Sequence, residues 1–102
     1  MLIIKPNCEY CDKTLSAQSS EAMICSYECT FCQDCVNTVL YNVCPNCGGG
    51  FSARPIRPTV ARRENTSLIH QPASSKAVHS PYSFEEISQF VQAIKDIKPQ
   101  DR

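Results

Sequence analysis

Three hydrophobic patterns divide the chain. Val36, Val39, Leu40 and Val43 recur at i, i+3, i+4 and i+7, which predicts one face of a short helix after Cys35. Asp34 stands at its N-terminal end, where negative charge is favoured. The β-branched residues lower its intrinsic propensity, so packing must hold it. Near the C-terminus, Phe84, Ile87, Phe90, Val91, Ile94 and Ile97 follow helical spacing over about four turns. Ser83 and Glu86 have capping-box spacing before that stripe, and Pro99 stops it. An amphipathic helix of this kind must bury its stripe on its own module or on a partner.

The third pattern is a set of short β-favouring runs. Leu2, Ile3 and Ile4 predict a strand ended by Pro6-Asn7. Residues 22–27 predict a second strand, paired in a hairpin with the stretch around Thr30-Phe31. Phe51 to Ile56 predict a last one, which Pro55 and Pro58 confine to a sheet edge. Residues 12–21 are polar and read as an exposed loop. From Arg57 to Pro81 there is little apolar content and no period. The expected organisation is a cysteine-rich module over residues 1–51, a basic Pro/Ser-rich linker or loosely docked tail over 52–80, and an amphipathic helix over 81–99.

The cysteines change this picture most. All eight lie between Cys8 and Cys47, in four short pairs: Cys8/Cys11, Cys25/Cys29, Cys32/Cys35 and Cys44/Cys47. A two-residue gap turns the chain tightly enough for both sulfurs to reach one ion, and eight thiols suffice for two tetrahedral zinc sites. A module this small needs such a staple, because its hydrophobic core alone is marginal. The N-terminus has no basic segment and no cleavage site of a secretory signal, which favours a reducing, cytoplasmic compartment and metal over disulfides. Iron–sulfur ligation and thiol redox chemistry are the other readings of the same thiols. Closed four-cysteine sites leave no position for a catalytic water, so the expectation is a protein that is not an enzyme.

Pairs can share ions sequentially or crosswise. Because only two residues separate Cys29 from Cys32, the second and third pairs lie back to back. Pointing them at different ions favours the crossed scheme. The full spacing, with gaps of 2, 13, 3, 2, 2, 8 and 2 residues and Pro45 after the seventh cysteine, resembles the RING-finger cross-brace. That resemblance implies a small α+β, treble-clef-like fold. It also implies one site from Cys8, Cys11, Cys32 and Cys35 and another from Cys25, Cys29, Cys44 and Cys47. Residues 1–58 are more specifically similar to a family of short, cysteine-rich bacterial proteins classed as a domain of unknown function. The segments PNCEYCDKTL, ICSYECTFCQDC and VCPNCGGGFSARPIRP carry that similarity. It implies zinc binding but no established activity.

Charge separates the remaining readings. Residues 1–47 carry two cations against five anions, residues 48–80 five against one, and residues 81–102 three against four, so the net charges are −3, +4 and −1. Zinc thiolate sites would make the first segment more anionic, which argues against nucleic acid there. The run Arg54, Arg57, Arg62 and Arg63 offers a nucleic-acid contact or, more simply, a clamp on the anionic module. His70 and His79 read as solvated. The expected function is a protein-interaction platform for a partner or a second copy, through Phe84, Ile87, Phe90, Val91, Ile94 and Ile97. The alternative is a RING-type ubiquitin-ligase adaptor using Tyr10, Val39 and Leu40.

Overall fold

The computed structural model describes residues 1–102 as a small α+β structure. Strands β1, Ala22–Ile24, and β2, Thr30–Cys32, form the expected antiparallel hairpin, with Met23 opposite Phe31. Strand β3, Ser52–Ala53, adds antiparallel to β1 and gives the order β2-β1-β3. It is an edge strand, as the flanking prolines require.

The first helical segment differs from the expected one. Helix α1 spans only Gln33–Cys35 and runs into a π-helical turn, Val36–Leu40. Tyr41 and Asn42 then take left-handed backbone angles, φ 45° and 61°. That ends the helix before Val43. Val36, Leu40 and Val43 are nevertheless buried, so the apolar period marks the core side correctly although the last residue reaches it from a turn.

Helix α2, Phe84–Ile94, begins at the capping box: Glu86 N–H donates to Ser83 Oγ, and Ser83 N–H to Glu86 Oε1. It has 11 residues, about three turns rather than four. A short 3-10 turn, Pro99–Asp101, follows. The helix lies on the π-helical turn, and Ile87 and Val91 join one core with Phe31, Val36, Leu40, Val43, Leu15, Ala22 and the buried cysteines. The C-terminal stripe is thus divided. Ile87 and Val91 are buried in their own chain, whereas Phe84, Phe90 and Ile97 stay exposed.

Two further expectations are corrected. Leu2 to Ile4 form no strand: Arg57 donates to the Leu2 carbonyl, Ser74 N–H to Ile4 and Arg54 to Lys5, so tail and side chains replace a neighbouring strand. The 12–21 loop is not wholly exposed. Leu15 is buried, its N–H bonds Pro6 O, and Thr14 pairs with Asn7 across an isolated bridge. One leucine in a polar stretch has no periodic neighbour to mark it as core.

Residues 57–81 contain no helix or strand, yet run along the module with specific bonds. Leu68 N–H bonds Pro58 O, and the buried Ser67 Oγ meets His70 Nδ1. Asn7 exchanges two hydrogen bonds with Val78, and Ser80 N–H donates to Glu9 O. His79 Nε2 stands 2.9 Å from Asp12 Oδ1. No helix of the chain is long and apolar enough to cross a membrane.

Candidate metal centres

Each cysteine pair sits where the chain reverses. Cys8 and Cys11 flank a turn closed by Asp12 N–H to Cys8 O. Cys25 and Cys29 flank the β1–β2 turn, closed by Cys25 N–H to Cys29 O and Glu28 N–H to Cys25 O. Cys32 ends β2 and Cys35 ends α1. Cys44 and Cys47 enclose the last turn, closed by Gly48 N–H to Cys44 O. Gly48 takes φ 81° there, a region disfavoured for residues with a Cβ.

The fold brings pairs from distant segments together. The thiols of Cys8, Cys11, Cys32 and Cys35 all lie within 4.8 Å of one another, and Cys11 Sγ is 3.7 Å from Cys32 Sγ. A second group joins Cys25, Cys44 and Cys47 within the same limit. The first pair thus lies against the third, and Cys25 of the second against the fourth. Cys29 stands beside Cys25 and Cys44, which perturb its ionisation, but outside the tight second group.

The surroundings suit thiolate ligation to a cation. Burial pushes the Cys35 and Cys44 thiols far up from their ordinary value, and neighbouring cysteines add to the shift. Burial likewise raises Cys32 and Cys29. Four sulfurs converging in a space that opposes their ionisation are stabilised as anions by a metal ion. Cys11 goes the other way: burial acts to raise it, but the Lys13 amide and the Cys8, Cys35 and Cys32 thiols outweigh that and hold it low. Backbone amides also face the sulfurs, with Tyr27 N–H 3.3 Å from Cys25 Sγ and Gly49 N–H 3.4 Å from Cys47 Sγ. These donors favour the charged form and orient each ligand. The groups can therefore hold metal ions.

The family model for the protein of unknown function DUF1272 matches residues 1–57, the whole of both cysteine groups. The chain belongs to the DUF1272 family. It is also 47% identical over 81 residues to an uncharacterized protein of Rhizobium meliloti (strain 1021), covering 79% of this chain and 89% of that protein. No solved structure matches the chain.

In this DUF1272 chain two important residues escape a reading of cysteine spacing. Glu9, in the gap of the first knuckle, is buried; its carboxylate accepts from Thr30 N–H and Lys5 Nζ, and faces Asn46 Nδ2. Asn46 sits in the gap of the last knuckle, and its Oδ1 accepts from Ser80 Oγ. Together they link a knuckle of each group. A carboxylate inside a Cys-x-x-Cys gap reads as surface charge, and only its long-range partners reveal otherwise. His70 and His79 lie in neither group.

The surfaces behind the alternative readings are reduced. Leu40 is fully buried, and Val39 and Tyr10 pack against the core, so Leu40 is not part of an exposed contact face. Arg54 is buried and donates to the Lys5 and Ser16 carbonyls, while Arg57 donates to Gln71 and Leu2. Arg62 and Arg63 are the exposed members of that run.

Proposed function

We propose that this protein is a non-catalytic, cytoplasmic zinc-binding protein whose module is a rigid platform for a protein partner. Cys8, Cys11, Cys32 and Cys35 hold one Zn²⁺, and Cys25, Cys29, Cys44 and Cys47 hold the other, in a RING-like, treble-clef cross-brace. The convergence of the crossed cysteine pairs carries this reading. The ions act structurally: each closes two long loops onto one point, and binding is coupled to folding. Zinc is favoured over redox metals because thiolate-only tetrahedral sites suit a d¹⁰ ion with no geometric demand of its own.

The partner surface is the part of the C-terminal stripe left outside the core. Phe84, Phe90 and Ile97 are exposed, and Tyr82 and Phe90 line a cleft of about 490 Å³ with Pro45, Asn46, Ile87 and Glu86. Aromatic anchors beside a rigid turn are the usual energetic centre of a protein interface. The buried Leu40 and the carbonyl-bound Arg54 give less support to a ligase-type contact or a nucleic-acid face.

Elemental analysis of protein purified without added metal, run beside a native mass, tests the reading. Two zinc ions per chain are expected. Iron, or oxidised cysteines without metal, overturns it.

A further inference from the structure

Two exposed features of this chain lack partners, and their chemistries match. The first is a closed loop. Leu68 N–H donates to Pro58 O and ties the ends of residues 58–68 together. Inside it, the Thr66 amide and hydroxyl both donate to Arg63 O, Asn65 takes φ 62°, and Gln71 Nε2 donates to Asn65 O. A compact surface loop held at its base and by an internal turn presents its tip in a set shape. Val60, Arg62 and Arg63 are exposed there. The ion pairs of the chain are Lys5–Glu9, Lys13–Glu21 and His79–Asp12, so neither arginine meets a carboxylate, and Glu64 beside them meets no cation.

The second is the cleft of about 490 Å³ where the last knuckle meets α2. Tyr82, Phe90 and Pro45 give it apolar walls, and Glu86 and Gln89 give it polar ones. Glu86 Oε1 accepts from Ser83 N–H, which leaves the other carboxylate oxygen without a partner. No cation of the chain pairs with Glu86 or with the exposed Glu85 next to it. An aromatic wall beside a free carboxylate oxygen suits a guanidinium, whose plane stacks on a ring while its N–H groups reach the oxygen. No residue of 57–81 lines the cleft, so the chain does not fill it with its own loop.

We propose that this cleft takes an arginine of the Arg62-Arg63 pair from a second copy of the chain. The chain itself supplies both halves of the contact, opposite in charge and each flanked by exposed apolar residues: Val60 on the loop, Tyr82 and Phe84 at the cleft. Exchange in both directions, the loop of each copy against the cleft of the other, closes a two-fold dimer with two equivalent contacts. The inference rests on the reading of the Phe90 surface as a partner surface and does not depend on which metal the cysteines hold.

Sedimentation velocity of full-length, metal-loaded protein at concentrations up to about 1 mM tests it. A reversible dimer is expected, weakened as salt rises from about 0.1 M to about 1 M and screens the exposed charges. Glu86→Gln keeps an acceptor for Ser83 N–H and removes only the charge, and Arg62→Ala/Arg63→Ala alters only exposed side chains. Each should weaken the dimer about tenfold or more, with metal content unchanged because neither site belongs to a cysteine group. Mixing the two variants rebuilds one intact contact of the two, so native mass should show a heterodimer more abundant than either variant's homodimer, a rescue that a misfolded variant does not give. A chain that stays monomeric throughout overturns the inference and leaves the partner surface to another protein. A dimer unchanged by both variants overturns the arginine contact. A dimer lost with the arginines but indifferent to Glu86→Gln, with no rescue on mixing, places the loop elsewhere and counts against the cleft as a partner surface as well.

Discussion

Glu9 and Thr30 are bonded twice. Glu9 N–H donates to Thr30 O at 2.9 Å, and Thr30 N–H donates to the Glu9 carboxylate. The contact ties the first knuckle to the start of β2, between Cys29 and Cys32, and both residues are buried. Lys5 Nζ lies 3.0 Å from the same carboxylate, so the buried charge is paired as well as hydrogen-bonded. Glu9→Ala strands the Thr30 N–H and the Lys5 ammonium, and is expected to cost about 1–3 kcal/mol of stability. Glu9→Gln keeps an acceptor and should cost less. Denaturant unfolding of the metal-loaded variants checks the order.

Metal pairing gives the second prediction. Cys8→Ser and Cys32→Ser should each lose the same single ion, and Cys25→Ser and Cys44→Ser the other. Native mass of each variant and of the double variants reads this directly. Cys8 and Cys25 sharing an ion would reverse the crossed arrangement.

The third concerns α2. Ile87 is buried against the module, so Ile87→Ala should cost about 2–5 kcal/mol. Phe84, 57% exposed at the first turn of the same helix, should change stability by only about 0.5 kcal/mol when replaced by Ala. Similar costs for the two would mean that the helix is not held by the Ile87 face. Chemical denaturation with a common baseline compares them.

Removal of the Ser83 hydroxyl leaves the Glu86 amide without its cap. Ser83→Ala is expected to cost about 1 kcal/mol, and Ser83→Asp to recover most of it. The loss should appear as reduced helical circular dichroism with metal content unchanged, since the cap lies outside both cysteine groups.

Arg54 supplies the last prediction. Burial lowers its guanidinium from the usual value without discharging it, and its two donors satisfy the Lys5 and Ser16 carbonyls. Arg54→Lys should destabilise nearly as much as Arg54→Ala, because a single ammonium does not reproduce the fork that spans the two carbonyls. Thermal unfolding of the two variants side by side provides the comparison, and full rescue by lysine would refute it.

Features set by near neighbours along the chain were legible from the residues alone. Cysteine gaps prescribe which sulfurs turn back together, Ser83 and Glu86 prescribe the start of α2, and the β1–β2 hairpin follows from two apolar runs around a short turn. The order of the pairs also favours crosswise grouping, because adjacent turns are better aimed at different centres. Contacts between residues far apart along the chain were not legible there, because they exist only once the chain has folded. Leu15 is core only because the fold covers it, and Glu9 and Arg54 are buried only because Thr30, Lys5 and Ser16 meet them. The stripe on α2 was legible as apolar, but which residues it buries depended on the area the small module offers, enough for Ile87 and Val91 and not for Phe84.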